Sequence, residues 1–183
     1  MNLVGVLLAA LHAASAGAPA GAASPIPLVH GSYWEYNESY AEHRGAVDAI
    51  DDSTTRFHMH RGSRGFYVEQ RGGADPTSGP VEVGPDFIRL LPWTGEDALP
   101  LPLRVGQVGR GSSADHVGWK VEAEEEVSVP AGTFKALRCA IRTWSNYSIL
   151  WIVPGVGVVK ETQGVPGRRP EIERVLLKWR VGG

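Results

Sequence analysis

Residues 119–129 alternate with period two. Trp119, Val121, Ala123, Val127 and Val129 fall on one face, and Lys120, Glu122, Glu124, Glu126 and Ser128 on the other. Successive residues point to opposite sides only in an extended chain, so this segment is a strand with one buried face. Glu125 falls on the apolar face, which predicts a bulge or a strand end that reaches water. Pro130 ends the strand and Ala131-Gly132-Thr133 turns the chain. The return strand then points Leu137, Cys139, Ile141 and Thr143 inward, and Arg138, Arg142 and Trp144 outward. Pairing Val127 with Leu137 would set Glu126 opposite Arg138 and Glu122 opposite Arg142. Such exposed pairs contribute only ~0.2–1 kcal/mol each, and their use is in fixing register. On this reading the acidic run 122–126 is a solvated strand face, not a metal or catalytic cluster.

The same pattern recurs along the chain. Residues 33–40 read as a first strand, and 41–50 fit a short helix or a loop as well as a strand. Residues 54–60 and 65–70 form a hairpin around Arg61-Gly62-Ser63-Arg64. Residues 72–80 (GGADPTSGP) read as a loop and 86–91 as a strand. LPLPLRVG, residues 99–106, cannot be a central strand, because its prolines lack a backbone donor. Tyr147, Ile149, Trp151 and Val153 share one face of the next strand and Leu150 and Ile152 the other, so that strand is expected to be covered on both sides. Pro154-Gly155 suits the centre of a type II turn. The last strand places Val175, Leu177, Trp179 and Val181 on one face, with Arg174, Lys178 and Arg180 opposite. With 183 residues there is room for one domain with a real core. The fold class expected is therefore mainly all-β and antiparallel, with one short helix as an option, in a single domain over 31–183.

The first 34 residues carry no Asp, Glu, Lys or Arg. An apolar run, Leu3 to Leu11, precedes a small-residue tract with A-x-A sites at Ala14-Ser15-Ala16 and Ala20-Gly21-Ala22. This reads as a signal peptide over 1–22, followed by a linker over 23–30, although no Lys or Arg precedes the apolar run. The run is too short to span a bilayer, and the expected location is periplasmic or extracellular. A net charge of -2 gives no electrostatic reason to expect nucleic acid or an anionic membrane as partner. Cys139 is the only cysteine, which excludes an internal disulfide and suits a small buried hydrophobe.

The sequence carries none of the motifs that mark a serine nucleophile, a phosphate loop, a zinc helix or a redox dithiol. Gly106, Gly109 and Gly111 do not follow a buried parallel strand, so they do not make a dinucleotide site. The expectation is a chain that is not an enzyme, with no catalytic residue and no cofactor. His58 and His60 are the metal candidates, two imidazoles on one strand face that would need a third ligand from Asp51, Asp52 or His116. Arg56 and Arg61 oppose a cation there, and a polar solvent-facing strand is the simpler reading. Asn37-Glu38-Ser39 and Asn146-Tyr147-Ser148 match a glycosylation pattern that matters only in a eukaryotic secretory pathway. Six tryptophans are many for this length, and Trp119, Trp151 and Trp179 lie on apolar strand faces. They either pack the core or line a cavity for an apolar ligand.

Four segments in order, GSYWEY (31–36), LPLRVG (101–106), VSVPAGTFKALRC (127–139) and WIVPGVGVVKET (151–162), resemble a large group of bacterial exported proteins and lipoproteins of the TapB-like kind. That group is distantly similar to the curved-sheet lipoprotein carriers LolA and LolB. The resemblance implies a curved antiparallel sheet or partial barrel, and export. The matching residues are turn formers and core residues, so it carries over no catalytic residue, and this chain lacks the acylated cysteine of the lipoprotein members. The functions expected are an exported domain that binds an apolar or envelope ligand or, alternatively, a structural or protein-interaction module of the cell envelope.

Overall fold

The structure, a computed structural model, describes residues 26–42, 49–62, 65–71, 78–83, 86–90, 98–110 and 116–182. The expected signal peptide, the linker as far as Pro25, and positions 43–48 of the ambiguous segment lie outside these residues. Among the described residues there are strands and turns and no helix. The strands are β1 (Tyr33–Glu42), β2 (Ala49–Gly62), β3 (Gly65–Arg71), β4 (Ser78–Val83), β5 (Phe87–Leu90), β6 (Ala98–Pro100), β7 (Val108–Arg110), β8 (His116–Val129), β9 (Gly132–Thr143), β10 (Tyr147–Val153), β11 (Gly157–Gly164) and β12 (Ile172–Arg180). They form one curved antiparallel sheet in the order β6-β5-β4-β3-β2-β1-β12-β11-β10-β9-β8-β7. Two meanders, β1 to β6 and β7 to β12, are thus joined through the β1–β12 ladder, while among the described residues β6 and β7 stand at the two ends of the sheet. The result is a partial barrel.

Trp34, Tyr36, Phe57, Met59, Leu150, Ile152 and Leu176 fill the interior, each 1 % exposed or less. Trp34 donates through Nε1 to the Val156 carbonyl at 2.6 Å, and Tyr36 through its hydroxyl to the Val158 carbonyl at 2.7 Å. Burying large amphipathic rings is favourable only when their polar tips find such partners.

Several local expectations change. Residues 78–80, expected in a loop, belong to β4, where Pro80 pairs with Tyr67. The β4–β5 ladder starts only at Val81, so the missing proline donor is tolerated there. The β8–β9 hairpin pairs Val127 with Phe134, not with Leu137. The chain reverses over Pro130-Ala131 alone, and Gly132, at φ +139°, rejoins the ladder at once. The ion pairs therefore join Glu122 to Arg138, and Glu124 to Lys135 at 2.7 Å. The bulge lies at Glu122, between Val121 and Ala123, three residues before Glu125. The backbone N–H of Ala131 donates to the Leu176 carbonyl at 3.0 Å and ties the hairpin tip to β12.

A second bulge reverses the expected facing of part of β12. Glu35 pairs with Lys178 but Tyr36 with Leu176, which leaves Leu177 as the extra residue. Period two is broken there. Arg174 and Leu176 consequently point inward, Arg174 9 % exposed and Leu176 fully buried, contrary to the reading that set Arg174 outside.

The inward Arg174 sits between two carboxylates. It pairs with Glu38 of β1, and its Nη1 donates to Glu161 Oε2 of β11 at 2.8 Å. These residues continue one interior rung, Cys139–Leu150–Glu161–Arg174–Glu38. Gln163 donates a further bond to Glu161 at 2.5 Å. Burial pushes the Glu161 carboxyl above its ordinary range, and Arg174 and Gln163 draw it back only in part. A carboxyl so raised favours its protonated form. Its contribution is present below the unfolded value and is lost as pH rises through the folded one. Arg174→Met is expected to destabilise the fold by ~3–5 kcal/mol near neutral pH, because two carboxylates are left buried without a counter-charge. The loss should shrink in mildly acidic buffer as the raised Glu161 carboxyl protonates, and urea unfolding at two pH values measures it. An equal loss at both would show that the cluster is not held by charge.

Candidate functional site: a groove at the open seam

Short edge strands and a proline-rich connection bring the two ends of the sheet together without joining them. Leu101 N–H donates to the Asp86 carbonyl at 2.7 Å and extends the line of β6 along β5. The chain then crosses residues 101–107. Gln107 braces the crossing, accepting from the Arg104 N–H at 2.6 Å and donating to the Pro102 carbonyl at 3.2 Å. On the far side, Gly106 N–H reaches the Val121 carbonyl at 2.8 Å, and Val121 N–H the Gln107 carbonyl at 2.9 Å, so the lead into β7 is fastened to β8. Among the described residues no ladder joins β6 to β7.

Between these ends lies a groove of about 460 Å³. Phe87, Ala98 and Pro100 line it from one end of the sheet and Val108 and Trp119 from the other, with Asp86 and Gln107 as its polar residues. Val108 is 67 % exposed and nearby Val105 52 %. Trp119 pairs with buried Ile141, so its ring faces the interior side of the seam. Gly109 makes this possible. A Cβ there would stand 2.4 Å from the indole ring, so the glycine is a seat for Trp119 rather than part of a phosphate loop. Mainly apolar walls suit van der Waals contact with an apolar ligand and supply no acid–base pair.

The other two tryptophans lie elsewhere. Trp151 is on the outer face of β10, where its Nε1 donates to Glu125 at 2.5 Å. Arg138 and Lys160 lie 5.9 and 5.4 Å from its ring. The outer cover of β10 at this point is thus a coat of long basic side chains. Trp179 pairs with Trp34 and packs half-buried against the core.

His58 and His60 share the outer face of β2, with ring centroids 6.4 Å apart, and His30 lies 6.0 Å from His60. Tyr33 stacks on His58, and His60 Nε2 stands 3.0 Å from Glu69. Burial, followed by the Arg71 charge, holds the His58 imidazole below its ordinary value. The side chains of Asp51, Asp52 and His116, the expected third ligands, lie outside the described residues. Among the described residues no three His, Cys, Asp or Glu side chains are arranged to hold a metal ion.

Sequence reasoning named Trp119 but not the rest of the groove. Phe87, Ala98, Pro100 and Val108 come from segments without alternation long enough to orient them.

No protein-family model matches the chain, and no curated protein does. Among solved structures it is similar to a candidate exported protein with a YmcC-like fold from Bacteroides fragilis, at 14 % identity and TM-score 0.53, over 86 % of this chain and 99 % of that one. It is also similar to a candidate lipoprotein from Parabacteroides distasonis, at 15 % identity and TM-score 0.48, over 87 % and 100 %. Gly109→Ala is expected to unseat Trp119 and red-shift the tryptophan emission, with the far-ultraviolet spectrum unchanged; an unaltered emission would mean that the ring is not seated on Gly109. The first likeness shows that the chain shares the curved-sheet fold of the Bacteroides fragilis protein.

Proposed function

We propose that this chain is an exported, non-catalytic β domain that binds an apolar ligand in the seam groove. The observation that carries the reading is the groove itself: an apolar channel with a tryptophan wall, left open where the sheet does not close. The interior is packed with side chains, which directs the ligand to the seam rather than the centre. Export is supported by the apolar run and A-x-A sites near the start of the sequence and by likeness to a candidate exported protein. Membership of the TapB-like group, and the analogy with lipoprotein carriers, belong to the same proposal. A periplasmic or extracellular location fits it equally. The second reading, a protein-interaction module of the envelope, draws on exposed Val105 and Val108 beside the groove.

Native mass spectrometry of protein purified from its own host should detect an apolar adduct, and a long-chain fatty acid should titrate the purified chain saturably. Val108→Glu adds a charge at an exposed position and should weaken that binding ~10-fold or more, since an unpaired charge would be desolvated by the ligand. Affinity equal to the parent, or no saturable binding in the parent, would remove the groove as a ligand site. A specific envelope protein cross-linked through position 108 instead would favour the second reading.

A further inference from the structure

We propose that the outer face of β9 and β10, beside the turn leading into β12, is a site for a small organic anion with a phosphate monoester or carboxylate head. This site is separate from the seam groove and does not depend on it.

The site is built from consecutive rungs. β9 presents Arg138, Ala140 and Arg142 outward at period two, and β10 sets Trp151, Ile149 and Tyr147 beside them in turn. Ala140 therefore leaves a gap between two long arginines, and with Ile149 it lines the depression. A further wall is a rigid turn, Val165-Pro166-Gly167-Arg168. Arg168 N–H donates to the Val165 carbonyl at 3.1 Å and Gly167 takes φ +82°. Proline followed by a glycine of positive φ is the sequence a type II turn requires. The segment after it packs directly on Gly164, where a Cβ would approach Pro170 Cα to 3.2 Å and the Arg169 carbonyl to 3.3 Å. Gly164 is the β11 partner of Tyr147, which fixes the turn beside Tyr147. The open depression measures about 310 Å³, enough for a small molecule.

Charge selects the ligand. Elsewhere on the sheet several outward bases meet acids, Arg56 with Glu35 at 2.5 Å, Lys135 with Glu124 at 2.7 Å and Lys160 with Glu173 at 3.1 Å, while Arg180 lies over the Tyr33 ring instead. In this pocket Glu122 answers Arg138. Arg142 and Arg168 line the same pocket, and among the described residues neither is paired with a carboxylate. Three guanidinium groups against one carboxylate leave two positive charges uncompensated. A guanidinium fork matches two oxygens of a phosphate or carboxylate. Ile149 and the Tyr147 ring offer contact to an apolar body. Both free arginines are exposed, so binding should be modest and weakened by salt.

The test titrates the full chain with phenyl phosphate and benzoate, with benzyl alcohol as the uncharged control. A second arm uses phosphatidylcholine vesicles with and without phosphatidic acid, whose headgroup is a phosphate monoester. Saturable one-to-one binding of either soluble anion, but not of benzyl alcohol, is expected. The double variant Arg142→Gln/Arg168→Gln should weaken it ~10-fold or more, as loss of charge-assisted hydrogen bonds implies. Ala140→Leu, which keeps every charge and fills the pocket, should weaken it comparably, and circular dichroism confirms that both variants fold. Binding to anionic vesicles alone, lost in both variants, would assign the site to a lipid headgroup rather than a free anion. Three results overturn the proposal: no anion bound in either arm, parent-like binding in both variants, or a loss confined to the arginine variant, which would reduce the site to diffuse surface charge.

Discussion

The guanidinium of Arg174, held between Glu38 and Glu161, is the constraint on which the sheet turns. Eleven ladders make up the order of strands, and ten of them join strands that are neighbours in sequence. The other joins β1 to β12, and the Arg174–Glu38 pair spans 136 residues across it. A slip of one residue in that ladder would turn Arg174 outward and strand two carboxylates in the core. The buried charges thus specify register at the one place where local turns cannot.

Curvature follows from the bulges, which break the ladders at Val117 and Glu122 in β8, Leu177 in β12 and Val159 in β11. Each adds a residue to one strand and increases its local twist. The bend brings β6 and β7 to face each other, and their shortness, with Pro100 in β6, stops them from sealing. The groove is therefore a by-product of incomplete closure, and Gly109 and Trp119 shape the opening.

Much of this was legible in the sequence, for physical reasons. Alternation marked the buried faces of β9 and β10, and Leu137, Cys139, Ile141, Leu150 and Ile152 are all buried as that period requires, whereas in β8 it holds only as far as Val121, before the bulge at Glu122. The two prolines of LPLP marked an edge. What escaped was whatever a bulge displaced. Val175 and Leu177 read as inward because period two was carried through Leu177, where it fails, while Trp179 beyond the bulge kept its expected face. The hairpin register was misplaced by three residues because Gly132 shortened the turn. The site was legible only as Trp119, since its other walls come from both ends of the sheet and meet only after it has curved.

The β1–β12 ladder has a mechanical consequence. Tyr33 pairs with Arg180, and just beyond them Gly182 N–H donates to Ser32 Oγ at 2.9 Å, so the chain enters and leaves the sheet at one point. Tension applied across those two points would load the ladder one hydrogen-bonded pair at a time, like a zip, and not all pairs together. The molecule would part along its middle into two six-stranded halves, with the Glu35–Lys178 pair met on the third rung and the buried ion cluster deeper in the tear as the second electrostatic stop.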